Sequence, residues 1–456
     1  MSRVIVIGGG VAGLATAHRL RRAGMDVTVL EAAERPGGKI ASADVGGLEL
    51  EAGPDSLVAR KPWGVELCRE LGLGDELVPP ATGRAFVWTD RGLVEFPQSA
   101  FGVTADLREL LAWRGISLRG KLRAGADLFI RARRSDSDES IGSLVRRRLG
   151  DEVAEMLVEP LLGGLHAGDV DELSVQATFP ELAAWERDFG SLVRGARAAM
   201  SRASEGPRSP MFLRPRRGVS RLVEALVASV GRDRIRTGVA VRRVRAEDTG
   251  LAVDSLPAEA VVIATPASAA AQVLQLVAPH AGAALRRIPY TSTAVALGVY
   301  GPKSASQLPE AAGIVVPRGK AAMTAVTFVS GKWPEERYGD RAVVRCFVGG
   351  AGLEDLLEAS DDEILDAVFG QLAAVVALPE RPEASRLVRW PAAMPQYLVG
   401  HTDLVREARL ALPPGIFLVG SAYDGVGIAD CARGAAETAE QVLAHLAGRR
   451  EQERVR

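Results

Sequence analysis

The chain has 456 residues, 47% hydrophobic and 25% charged, which is long enough for two or three domains around a buried ligand. Its 56 basic and 57 acidic residues nearly cancel, so global charge gives no reason to expect a nucleic-acid partner. Cys68, Cys346, Cys431 and five histidines are scattered, without the spacing of a disulfide framework or of metal ligands, and no metal is expected.

Residues 4–7 are a β-branched apolar run, Gly8-Gly9-Gly10-Val11-Ala12-Gly13 follows directly, and 14–23 has helical spacing. Gly8 suits a tight turn, Gly10 admits a pyrophosphate against the backbone, and Gly13 lets helix and strand pack closely. Val11 and Ala12 open the helix whose free N–H groups face the phosphates. A second strand, 26–30, ends at Glu31-Ala32, where this fold uses a carboxylate to grip ribose hydroxyls. The expectation is a Rossmann-like dinucleotide-binding domain.

Arg35-Pro36-Gly37-Gly38-Lys39 resembles the extended flavin fingerprint of the FAD-dependent amine oxidase superfamily. The resemblance implies FAD, with Lys39 as a point charge where relatives more often carry Arg. Gly53-Pro54-Asp55-Ser56, followed by Arg60-Lys61, resembles the porphyrinogen oxidases of haem biosynthesis. It implies that the turn 53–56 lies by the flavin and that Arg60 and Lys61 form a basic rim for substrate carboxylates. A helix is read over 64–71, then a hairpin over 84–88 and 92–97. Arg84 matches the arginine that holds a propionate in that family, a task suited to a guanidinium fork.

Residues 104–204 read as mostly helical. Basic residues such as Arg119, Lys121, Arg134 and Arg146 to Arg148 interleave with acids such as Asp136, Asp138 and Glu155, which fits a solvated face with at most peripheral membrane contact. Within this insert Glu159 to Asp169 is glycine-rich. It resembles the family segment leading into the substrate pocket, where a carbonyl at Gly164 would lie near the macrocycle. Gly163 departs from relatives that carry Arg there, and Asp169 suits either pyrrole N–H groups or a helix cap.

A loop over 212–217 and a helix from about 220 return the chain to the flavin domain, and strands are read over 235–244, 251–253 and 260–266. By resemblance, the backbone of Val239 meets the adenine. Strands over 293–301, 313–317, 322–329 and 342–350 suggest an antiparallel substrate sheet on which Val315 and Phe347 line an apolar slot. A helix follows over 361–378 with Ser360 as N-cap. The run from Trp390 through Pro395-Gln396-Tyr397 to Gly400-His401 closely resembles the porphyrinogen oxidases. Gly420 and the turn Val426-Gly427-Ile428 then precede a last helix, read over 432–446, whose N-terminus would face the flavin.

The expected architecture is α/β: a Rossmann-like FAD-binding domain (1–80, 211–268, 386–456), an inserted helical domain (81–210) and an antiparallel-sheet substrate domain (269–385). The resemblance spans the chain. It implies six-electron oxidation of coproporphyrinogen III to coproporphyrin III, with oxygen as acceptor and a ferrochelatase downstream. Protoporphyrinogen IX is the alternative substrate, and an amine oxidase or carotenoid desaturase the more distant alternative. No catalytic side chain emerges. No leader precedes the first strand, so a cytoplasmic place is expected, at most peripheral to the inner face of the membrane.

Overall fold

The computed structural model describes residues 3–133, 137–205, 210–247 and 250–455; Arg134 and Asp136 lie outside them. Strand β1 (Arg3–Ile7), helix α1 (Val11–Arg22) and strand β2 (Asp26–Leu30) follow the sequence expectation closely. Val4, Val6, Val27 and Val29 are fully buried against Leu14, Leu20 and Leu226, which is how a parallel strand covered on both faces is held. The parallel sheet has the order Ile235–Arg236, β2, β1, Ala260–Ile263, Ile416–Leu418. The glycine turn leaves β1 at its carboxyl end, where open α/β sheets bind ligands.

A seven-stranded sheet runs Ala384–Pro395, Tyr290–Val299, Val343–Gly349, Ala325–Phe328, Gly313–Val315, Ala85–Thr89, Gly92–Glu95. It is not wholly antiparallel, because Gly313–Val315 pairs parallel with Ala85–Thr89. Three differences from the sequence reading stand out. The hairpin at 85–95 belongs to this sheet rather than to the helical segment, and residues 384–395 form one long strand where no strand was read. The strand read over 235–244 is broken: Ile235–Arg236 joins the parallel sheet, and Val244–Glu247 pairs with Gly250–Val253.

The helical segment has its own core, built on Leu144, Leu157, Leu173, Leu182 and Leu192. A fully buried pair, Arg148 and Asp127, ties it together. Arg148 also donates to the carbonyls of Asp127 (2.7 Å) and Gly190 (2.6 Å), and Asp127 accepts from the Val193 N–H at 3.0 Å. Ala154–Gly163 is wound as a π-helix with Pro160 inside. Proline has no N–H and its ring crowds the carbonyl four residues back, so a widened turn accommodates it where an α-turn would not.

Candidate functional site: a dinucleotide cradle facing an apolar sheet

Gly8 has φ +106°. A Cβ on Gly13 would lie 2.0 Å from the Gly8 carbonyl oxygen, while one on Gly10 would meet nothing within 4 Å. The turn is therefore closed on its packing side and open above Gly10. Gly10 caps α1 without a side-chain hydrogen bond, and the first turn holds no acid, so the leading N–H groups, including those near Val11 and Ala12, suit an anion. Glu31 sits beside this opening and accepts from the N–H groups of Gly9 (2.6 Å) and Ala33 (2.8 Å); Ala32 between them is exposed. The Val239 N–H donates to the Glu31 carbonyl at 2.8 Å, which leaves only the Val239 carbonyl for an adenine.

The Arg35–Lys39 loop packs on the turn through Gly37 N–H to the Gly9 carbonyl, 2.8 Å. Arg35 clamps its own loop by donating to the carbonyls of Gly38 (2.9 Å) and Ile40 (3.1 Å). Lys39 is turned inward and donates to Ser421 at 3.2 Å; burial lowers its pKa, opposed by nearby Cys431. A Cβ on Gly53 would lie only 1.9 Å from the Lys39 carbonyl oxygen, so glycine is required where the two motifs meet. Gly420, at φ +128°, lies between Ala12 and the Ala264 carbonyl. The last helix begins at Ile428, four residues earlier than read from sequence, directly behind Val426 and Gly427. An uncapped helix N-terminus, a carboxylate beside it and an open glycine turn together fit FAD.

Next to Gly53 and the exposed Pro54 lies a buried charge cluster that the sequence reading missed. The Asp55 carboxylate accepts from Lys332 (3.1 Å), Trp333 (3.3 Å) and Ser56 (2.8 Å), and Arg345 stands 3.5 Å away. Burial pushes the Asp55 carboxyl up, but Lys332 and Arg345 outweigh it and hold the group well below the usual carboxylate range. Arg345 is 2% exposed and donates to the Gly53 carbonyl, while its Nε and Nη1 make no hydrogen bond. One signal was available in sequence: an arginine inside the otherwise apolar strand Val343–Gly349. Trp390 donates to the Ala52 carbonyl at 2.9 Å, so the long strand is fastened to the same turn.

Val315 and Phe347 are brought together. Strand register places Val87, Val315, Ala325, Phe347, Val295 and Val388 in one row across the sheet, and residues in one row share a face. The Arg345 guanidinium lies over the Phe347 ring at 5.2 Å, so the row leads to the Gly53 turn. The basic rim is less open than expected. Arg60 is exposed, but Lys61 bonds both oxygens of Asp430 at 2.8 Å, and Arg84 forms a fork with Glu95 at 3.0 and 3.1 Å.

Gly164 is exposed and lines a cavity with Glu159, Gly163 and Arg318. The Gln396 amide donates to the His166 carbonyl at 3.1 Å, Tyr397 stacks on His401 at 3.8 Å, and the Tyr397 hydroxyl donates to the Ser421 carbonyl at 2.9 Å. The 390–401 run thus joins the glycine-rich segment to the flavin end. A separate open surface groove beside Asp106, Arg108 and Arg197 holds none of these residues.

Residues 11–443 match the family described as flavin containing amine oxidoreductase. The chain is 34% identical to the coproporphyrinogen III oxidase of Bacillus subtilis, with 94% of this chain and 95% of that protein covered. It is 30% identical to the coproporphyrinogen III oxidase of Staphylococcus aureus, covering 97% and 99%. The crystal structure of a proposed protoporphyrinogen oxidase from Exiguobacterium sp. superposes with TM-score 0.84 at 33% identity, over 98% of this chain and 99% of that one. With the glycine cradle and the flavin-side turn in place, these matches put the chain in the flavin-containing amine oxidoreductase family, in its porphyrinogen oxidase branch.

Proposed function

We propose that the protein oxidises coproporphyrinogen III to coproporphyrin III by six electrons in haem biosynthesis. The observation that supports this most is the apolar row Val315–Ala325–Phe347 running to the Gly53 turn, a surface for a flat macrocycle beside the flavin site. FAD, when bound, supplies the hydride acceptor that dioxygen regenerates, giving hydrogen peroxide. Gly8, Gly10, Gly13 and Glu31 hold its ADP half, while Gly53, Trp390, Gly420 and Ile428 frame its ring. The buried Arg345 and Lys332 hold Asp55, and Arg345 also faces Glu51, so the cluster sets two cations against two carboxyl groups. Arg60, Lys61 and Arg84 face the four propionates of coproporphyrinogen, against two in protoporphyrinogen, and a ferrochelatase consumes the product.

Among the described residues no helix is long and apolar enough to cross a membrane. Leu111, Leu118, Leu122 and Phe129 are exposed in and around the short helices Leu107–Ala112 and Leu118–Gly125, with Arg114, Arg119 and Lys121 among them. Apolar side chains ringed by cations favour peripheral contact with anionic lipid at the inner membrane face, and sedimentation with phosphatidylglycerol vesicles checks it. For the main reading, FAD-loaded protein is mixed in air with coproporphyrinogen III or protoporphyrinogen IX and porphyrin fluorescence is followed. Faster turnover of coproporphyrinogen is expected; faster protoporphyrinogen turnover reassigns the substrate, and no turnover of either refutes the reading.

A further inference from the structure

The cavity at Gly164 is lined by one carboxylate, Glu159, and one cation, Arg318. Glu159 lies on the π-helix and its side chain is 13% exposed. Its carboxylate accepts the Arg318 main-chain N–H and stands 3.8 Å from the Arg318 guanidinium. That guanidinium is already bound to the Ala351 carbonyl and lies 3.7 Å from Asp169. Asp171, beyond it, is held by Arg146 at 3.1 Å. The cavity wall therefore offers the Glu159 carboxylate against one cation that is already engaged, with Asp169 also near that cation. A propionate would be repelled there, whereas an N–H donor would be welcomed.

Gly163 makes the placement possible. A Cβ there would come within 2.9 Å of the Gly168 carbonyl oxygen and 3.3 Å of Glu159 Oε1. Burial pushes the Glu159 carboxyl up, Arg318 pulls it back, and Asp169 and Asp171 add to the rise, leaving it at about 7. A base so poised can take a proton and return it near neutral pH.

We propose that Glu159 is the proton acceptor of this site, taking the pyrrole N–H protons that the macrocycle loses during oxidation. The inference rests on the porphyrinogen reading above. In each two-electron step the C–H pair of a meso carbon leaves as hydride to the flavin ring. The N–H bond of the adjoining pyrrole then breaks, its electron pair stays on nitrogen as the imine lone pair while the nitrogen's former π pair completes the C=N bond, and the proton forms an O–H bond on Glu159. Three such steps remove three hydrides and three protons; the fourth meso carbon then passes one proton to a pyrrole nitrogen by tautomerisation, which leaves the two inner N–H groups of the porphyrin. Glu159 then returns each proton to water; Asp169, about one-third exposed, stands 3.7 Å from the same Arg318 guanidinium.

The test compares FAD-loaded wild type, Glu159→Gln and Glu159→Asp with coproporphyrinogen III across pH. Wild-type kcat/KM is expected to rise with pH through about 7, as the carboxylate forms. Glu159→Gln should lose that limb and fall about 100-fold or more in kcat, and Glu159→Asp should restore the limb in part. Unchanged flavin absorbance and melting temperature establish that the Gln variant is folded. Should it keep both the wild-type rate and the wild-type limb, the proposal is wrong while the porphyrinogen reading stands. A wild type that turns over no porphyrinogen overturns both. As a measurement without turnover, coproporphyrin III, which carries inner N–H groups, is titrated into both proteins. Weaker binding by Glu159→Gln supports the proposal and equal binding at every pH refutes it.

Discussion

Arg84 shows what sequence can and cannot say about one residue. Its place at the head of a strand was legible; its fork with Glu95, eleven residues on, was not, because that contact depends on how the hairpin closes. The pair is exposed, and a substrate carboxylate must displace Glu95 to use the guanidinium. Glu95→Gln is therefore expected to lower the KM for coproporphyrinogen a few-fold and Arg84→Ala to raise it, kcat staying within two-fold in each, as steady-state kinetics will show. Lys332 and Arg345 were hidden for a related reason: they reach Asp55 across nearly 300 residues of chain. The histidines carry a pH dependence. Burial lowers His166 and His401 to about 4 from 6.5, Lys61 adding to the effect at His166 and Asp424 opposing it at His401. The unfolded chain takes these protons first, so stability is full above about pH 6.5 and declines as pH falls toward 4, by up to about 3 kcal/mol per histidine. Urea midpoints at stepped pH should show a shallower decline in His401→Gln.

Elements defined by local chemistry were the readable ones. Strand, glycine turn and helix at the start follow from β-branched residues and open N–H groups. Ser360 caps its helix with the reciprocal bond from Glu363 that such a box requires. Elements set by distant partners were not. Residues 384–395 contain Pro391 and little alternation, yet form the longest strand because Tyr290–Val299 pairs along them. The π-helix likewise answers to Pro160 and to the cavity that Gly163 borders, neither of which a 3.6-residue period reveals. At the junction of two legible motifs, Gly53→Ala drives a Cβ into the Lys39 carbonyl and must push the fingerprint loop away. Overpacking of this kind costs about 1–3 kcal/mol. The expected result is a lower melting temperature and loss of flavin absorbance on gel filtration, with FAD added back only partly restoring it.

On the scale of the whole molecule, the flavin site we propose draws on residues 8–56, 239, 390 and 420–428, while the helical segment between packs around a core of its own that also takes in Val87 of the sheet. Several contacts decide whether these parts unfold together, the Gln396–His166 and Glu159–Arg318 contacts above and two backbone hydrogen bonds among them. Ser174 donates to the Tyr397 carbonyl at 2.8 Å, and Ala351 to the Ala167 carbonyl at 2.9 Å. The first binds the helical segment to the run after the long strand, the second to the turn that follows the interior strand Val343–Gly349. Because FAD binds only the folded site, a hundred-fold excess over its Kd should add about 2.7 kcal/mol to the stability of whatever unit unfolds with that site. Trp113 and Trp185 lie in the helical core and report on it. If these contacts couple the parts, FAD raises the thermal transition seen by these tryptophans as far as it raises the transition seen by circular dichroism. In variants retaining only Trp113 and Trp185, a fluorescence transition indifferent to FAD would mean that the helical segment folds on its own, and that the Gly164 cavity is held to the flavin site only after the two parts dock.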